Sequence, residues 1–221
     1  MSNARKGPAT RAGLTPDRIV DAAAALTEGR GLHAWSLRDL AKALDVAPSV
    51  IYHHIGGKDE LCRRVVGRVV ASLDRPDPGL EWRDWLRALL FPARAKMAAY
   101  PGTAMWVLMH GPTFEHLVPI MNDGVAAMAK AGFGERTGLA YSAVVNCALL
   151  TIAAGDERLA QADDGPRDRA AIPRDFERLG DAGPGATELK SVASSLTDEA
   201  AVDGYYRFVV ETMIRGLEPE R

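Results

Sequence analysis

The stretch Ser36-Leu37-Arg38-Asp39-Leu40-Ala41-Lys42-Ala43-Leu44-Asp45-Val46-Ala47-Pro48-Ser49-Val50-Ile51-Tyr52-His53-His54-Ile55-Gly56-Gly57 decides the fold. Ser36 is an N-cap residue with Asp39 three positions on, an acidic variant of the capping box. Leu37, Leu40, Ala41 and Leu44 then share one stripe, so a short helix is expected over 37–44. Asp45-Val46 makes a tight turn. Pro48 is tolerable only in a first helical turn, so a second short helix of about two turns opens there and Gly56-Gly57 closes it. Two short helices joined by such a turn follow the helix-turn-helix plan. Ser49, Tyr52 and His53 project away from the Val46, Val50 and Ile51 face that packs inward, and suit contacts to phosphate oxygens and base edges.

Outward from this core the pattern stays helical. Upstream, Thr15-Pro16-Asp17 combines a cap, a proline at the first helical position and an acid in the first turn, which predicts a helix over 16–29. Downstream, Lys58-Asp59-Glu60-Leu61 opens a fourth helix over 58–74, with Leu61, Val65, Val69 and Leu73 along one side. It ends before Arg75-Pro76-Asp77-Pro78-Gly79, the clearest boundary in the chain. Further helices are expected over 80–99, 102–110, 114–131, 135–158 and 198–217, and no alternating run argues for a sheet. Residues 159–195, rich in Gly, Pro, Asp and Arg, read as a long loop with a short helix near 173–179. The expected fold is all-α. It has a basic flexible arm at 1–12, a DNA-binding domain at 13–75 that includes the fourth helix, and a second domain at 80–217, to which the resemblance stated below gives ligand binding and dimerisation and for which it makes the fourth helix the hinge.

Composition sets the outer limits. With 221 residues, 47% hydrophobic and 25% charged, the chain has the make-up of an ordinary globular protein, which excludes a disordered, collagen-like or disulfide-scaffold class. Cys62 and Cys147 stand apart from each other and from any metal-ligand spacing, which fits a reducing compartment and no metal or other cofactor. The apolar stretch 140–154, broken by Ser142, Asn146 and Thr151, is shorter than the roughly 18 to 20 residues of a membrane span, so a cytoplasmic protein with no membrane partner is expected. The net charge of −2 divides unevenly: residues 1–75 carry 12 Lys+Arg against 8 Asp+Glu, and the remainder 15 against 21. A basic front third suggests one surface that meets a polyanion.

The segment from Leu14 to about Leu73 resembles the DNA-binding domain of the tetracycline-repressor (TetR) family of bacterial regulators, most recognisably in Ile51-Tyr52-His53-His54 with Lys58 and Leu61. Met109-His110-Gly111-Pro112-Thr113 and Ala131-Gly132-Phe133 extend a looser resemblance to the ligand-binding domain of its tetracycline-type branch. The resemblance implies that Ser36 caps the first motif helix and meets a phosphate, and that Arg38 reaches the major groove. It also implies that Pro48, Ser49 and His53 form the outer face of the recognition helix, while Tyr52, His54 and Lys58 contact phosphates of a double-stranded operator. Asp45 stands where the family usually has glycine; Asp is among the few other residues that tolerate a left-handed conformation.

Five of the seven methionines lie between Met97 and Met128, beside Trp106, His110, Phe114 and His116. With the family resemblance, this cluster implies a pocket for an apolar or aromatic effector bounded by Trp85, Leu89, Met105, Trp106 and Met109, with His110, Phe114, Tyr141 and Asn146. Tetracycline itself is not implied: Asp74 and Leu89 stand where tetracycline binders have His and Asn. The last helix is apolar on two sides and one is surplus to a monomer, so Tyr205, Phe208 and Val209 are expected to join Ala140, Val144, Cys147 and Thr151 in a homodimer interface. An enzyme built on His110, Glu115, His116 and Asp123 is the alternative from another class, although His110 and His116 miss the i, i+4 spacing of a shared metal. An adaptor that has lost DNA binding is the third reading, with Asp45 as its support.

Overall fold

The computed structural model describes residues 14–160, 171–178, 183–196 and 199–219, and the expected arm at 1–12 lies outside them. The first three helices are α1 (Pro16–Arg30), α2 (Leu37–Ala43) and α3 (Pro48–Ile55), which pack on one another and, through α1, on α4 (Lys58–Ala71). Thr15 caps α1 through its side chain with Pro16 at the first position. Ile19, Val20, Leu40, Ile51, Leu61 and Val65 are buried between these four helices. The turn between α2 and α3 closes with Asp45 at φ 52°, the one non-glycine residue with positive φ among the described residues. Its short polar side chain tolerates that conformation at modest strain.

The second body is α5 (Trp82–Ala98), α6 (Thr103–His110), α7 (Leu117–Lys130), a 3-10 turn (Gly134–Arg136), α8 (Thr137–Ala160) and α11 (Glu199–Gly216). Among the described residues there is no strand. α8 is the hub and touches α5, α6, α7 and α11. By length and composition alone the segment Gly134–Asp156 is apolar enough to cross a membrane, contrary to the expectation from 140–154. Its apolar residues Tyr141, Val144, Ala148 and Ile152 instead face the interior of the helical body.

Two helices, α9 (Ala171–Arg178) and α10 (Pro184–Ser195), occupy part of the segment expected to be a loop. The short helix was expected; α10 was not. Gly183-Pro184-Gly185 suggests a break, but Gly183 is the N-cap and Pro184 the first residue of the helix, where the missing N–H costs nothing.

Close approach of α7 to the core depends on Gly124. A Cβ there would come within 2.5 Å of the Tyr141 ring and 2.6 Å of Trp85. Trp85 is fully buried, so its ring has no room to swing aside.

Candidate nucleic-acid interface and effector cavity

Ser36 and Asp39 form the expected capping box. The Ser36 hydroxyl accepts from the Asp39 N–H at 3.2 Å and donates to the Asp39 carboxylate at 2.7 Å, and the Ser36 N–H donates to the same oxygen at 2.8 Å. These bonds from Ser36 hold the Asp39 carboxyl below its usual range. The Ser36 hydroxyl proton is thus used inside the box, which leaves no side-chain donor for a phosphate in this conformation. Arg38 on α2 and Pro48, Ser49, Tyr52 and His53 on α3 are exposed and His54 is half-buried, so all of them can be reached from solvent. Tyr52 is 57% exposed and takes no part in the core. The N-terminus of α3 has no side-chain cap and no acid in its first turn, an arrangement open to an anion.

Lys58 is placed differently from the expectation that it meets a phosphate. Its ammonium donates to the carbonyls of Leu32 at 3.0 Å and Trp35 at 2.9 Å and lies over the Trp35 ring. Burial pushes its pKa down to about 8. Trp35 in turn donates its Nε1–H to Thr27 at 3.0 Å, and the Thr27 hydroxyl donates to Ala23. Lys58 therefore fastens the start of α4 to the turn between α1 and α2. The lone cation at a helix start gave no sign of this inward route, because its acceptors are backbone carbonyls 23 and 26 residues away.

In the second body a cavity of about 570 Å³ opens between α5, α6, α7 and α8. Of the expected pocket residues it is lined by Leu89, Tyr141 and Asn146. Trp85 lies behind it, fully buried, with no hydrogen-bond partner for its Nε1 among the described residues. Met109 is 71% exposed and Met105 half-buried, and neither lines the cavity. Trp106, His110 and Phe114 form a separate aromatic stack: the His110 ring lies 4.1 Å from Trp106, which meets Phe114 at 5.6 Å. Phe114 presses on α4, 3.4 Å from where a Cβ on Gly67 would sit. Unforeseen wall residues include Val70 of α4, Leu73 just beyond it, Val107 of α6 and Ile120 and Met121 of α7.

The residues of the enzyme reading are not gathered. Asp123 is held by a bidentate pair from Arg75 at 2.6 and 3.0 Å, and the Nδ1 of His110 faces the Trp106 carbonyl. No cluster of three or more His, Cys, Asp or Glu able to hold a metal occurs among the described residues.

The expected dimer face is only partly on the surface. Val144 is fully buried and Ala140 is 8% exposed within their own chain, so they are core residues. Cys147, Thr151 and Val209 are half-buried, while Tyr205 and Phe208 are exposed, as are Leu139 and Leu150 on α8.

Residues 19–65 match the family described as "Bacterial regulatory proteins, tetR family". The match takes in the helix-turn-helix and the first half of α4. An HTH-type transcriptional regulator of Saccharopolyspora erythraea is 29% identical to this chain over 134 residues, 60% of this chain and 57% of the relative. The HTH-type transcriptional repressor DrrR1 of Streptomyces coeruleorubidus is 31% identical over 112 residues, 51% of this chain and 41% of the relative. The chain thus spans about half the length of the curated relatives it matches. Among solved structures, the TetR family protein ActR of Streptomyces coelicolor in complex with actinorhodin superposes with a TM-score of 0.68 at 22% identity over 93% of this chain and 97% of that one. A possible TetR family regulator of Streptomyces coelicolor A3(2) gives 0.74 at 21% identity over 90% and 97%. At these identities the likeness shows the fold, and it runs through both bodies.

Proposed function

We propose that this chain is a transcriptional repressor of the TetR type that binds a palindromic operator as a homodimer and releases it on binding a small apolar or aromatic effector. One observation carries the reading: α4 belongs to both bodies. Its first half packs Leu61, Cys62 and Val65 into the helix-turn-helix core, while Val70 and the adjoining Leu73 form part of the effector-cavity wall. A ligand that fills the cavity must contact the element that carries the DNA-reading helices. The curated relatives, both named as HTH-type transcriptional regulators, support the same reading.

Homodimerisation fits the exposed apolar residues Leu139, Leu150, Tyr205 and Phe208 on α8 and α11, since a solvent-facing patch of that kind on helices that also pack internally suits a second copy. Two copies present two recognition helices, which must sit about 34 to 36 Å apart to enter successive major grooves. The effector acts through its different affinity for the two head spacings. Arg38 reads a base, and Ser49, Tyr52, His53 and His54 hold the backbone. This assigns no catalysis to the chain and places it in the cytoplasm, with DNA.

Selection of binding sites from a random DNA pool, followed by footprinting, tests the proposal. Two protected half-sites one helical turn apart support the dimeric repressor. A single half-site per bound complex contradicts it.

A further inference from the structure

Among the described residues the cavity walls carry no Asp, Glu, Lys, Arg or His. The nearby charges are matched elsewhere: Arg94 pairs with Glu199 at 2.8 Å, Lys96 with Asp74 at 2.8 Å, and Arg75 with Asp123 at 2.6 Å. An ion entering the cavity would lose its hydration and meet no counter-charge, so the walls select against it. The polar lining groups are few. The Tyr206 hydroxyl is already used, donating to the Leu90 carbonyl at 2.9 Å. Ser142 and Asn146 lie on the exposed side of α8, where the cavity reaches solvent beside Val125. Tyr141 remains: it is 9% exposed, lines the cavity, and its hydroxyl makes no hydrogen bond among the described residues. Burial pushes that hydroxyl up to about 12, so it stays protonated and able to donate.

We infer that the effector is an uncharged molecule with an apolar body and a hydrogen-bond acceptor that meets the Tyr141 hydroxyl. This deepens the proposed function and rests on its reading of the cavity as the effector site. The acceptor matters because an apolar molecule alone would leave a buried donor without a partner in the bound state. The absence of charge matters because it excludes organic acids, amines and metal chelates that a lined anchor would be needed to hold.

The probes are fluorescent naphthalenes titrated into the full-length protein without DNA. N-phenyl-1-naphthylamine is uncharged, 1-anilinonaphthalene-8-sulfonate adds an anion to the same rings, and 6-propionyl-2-dimethylaminonaphthalene is uncharged with a ketone acceptor. The two uncharged dyes are expected to bind saturably at one site per chain, and the sulfonate about tenfold more weakly. Val125→Arg, at the solvent-reaching rim, is expected to reverse the preference toward the sulfonate. Tyr141→Phe is expected to weaken the ketone about fivefold, a single hydrogen bond, while leaving N-phenyl-1-naphthylamine within about twofold. Equal or tighter binding of the sulfonate to the unaltered protein overturns the claim of an uncharged effector, as does dye binding that Val125→Arg leaves unmoved. An unchanged ketone affinity in Tyr141→Phe overturns the role of the hydroxyl. Because no DNA is present, failure of operator binding with these results intact would sink the repressor reading and leave the ligand class standing.

Discussion

The backbone N–H of Leu32, in the turn between α1 and α2, donates to the carbonyl of Pro101 at 2.8 Å. The Leu32 carbonyl in turn accepts from Lys58, and the N–H of Gly102 is held by the Asp156 carboxylate of α8 at 3.0 Å. The helix-turn-helix body is thus joined to the second body twice, once through α4 and once through this chain of hydrogen bonds at the start of α6. α6 and the residues that open it therefore bear on the turn before α2 as well as on α4.

Gly102 is needed at that junction. Its φ is 90°, and a Cβ there would meet the Leu32 Cβ at 3.2 Å. Gly102→Ala is expected to cost about 1 to 3 kcal/mol through backbone strain and crowding, read as a lower denaturant midpoint. An unchanged midpoint would show that the two bodies do not meet there.

Gly124→Ala tests the packing of α7. The added methyl collides with two buried rings, Trp85 and Tyr141, and the expected loss is about 1 to 3 kcal/mol of overpacking strain. A drop of several degrees in melting temperature checks it; Gly138→Ala, with nothing within 4 Å of its Cβ position, serves as the neutral control.

The pairing of α5 with α11 makes stability depend on acid. Arg87 grips Glu211 with two bonds of 2.9 Å, and those hydrogen bonds hold the Glu211 carboxyl down to about 2 from its ordinary 4.5. A carboxyl whose pKa is depressed on folding contributes stability above its unfolded value, so this contribution is complete above pH 4.5 and fades as pH falls toward 2. Denaturation midpoints measured across that range should fall less steeply for Glu211→Gln than for the unaltered chain. Parallel curves would contradict the assignment.

On the DNA side the exposed and inward residues part company. Tyr52→Phe should weaken binding about equally for all sequences, whereas Arg38→Ala should cost about 1 to 3 kcal/mol and relax specificity at one base pair. Lys58→Ala should lower stability by removing two hydrogen bonds to carbonyls and leave the salt dependence of DNA binding unchanged. A shallower salt slope in Lys58→Ala would show that its ammonium reaches a phosphate after all.

The helix-turn-helix could be read from the sequence because its signals are local. Ser36 and Asp39 sit three residues apart, Pro48 fixes a first turn, and Asp45 marks a position that needs positive φ. The cavity was harder. Val70, Leu73, Ile120 and Met121 look in sequence like any core residue, and only the packing of four helices leaves space beside them. Trp106, His110 and Phe114 stood out by residue type, yet they satisfy one another in a stack. α8 is apolar nearly all round, so its periodicity does not fix its phase; Ala140 and Val144 fell on the inner side and Leu139 and Leu150 on the outer. Lys58 could not be placed from spacing, because its partners come from a distant turn.

The measurement that bears most directly on the central claim is binding of the purified protein to DNA upstream of its own gene, titrated against salt and compared with random DNA. A regulator of the kind proposed binds the upstream DNA as a dimer, about a thousandfold or more above random DNA, with an affinity that falls steeply as salt rises. Affinity for upstream and site-selected DNA no greater than for random DNA, at every salt concentration, would contradict it.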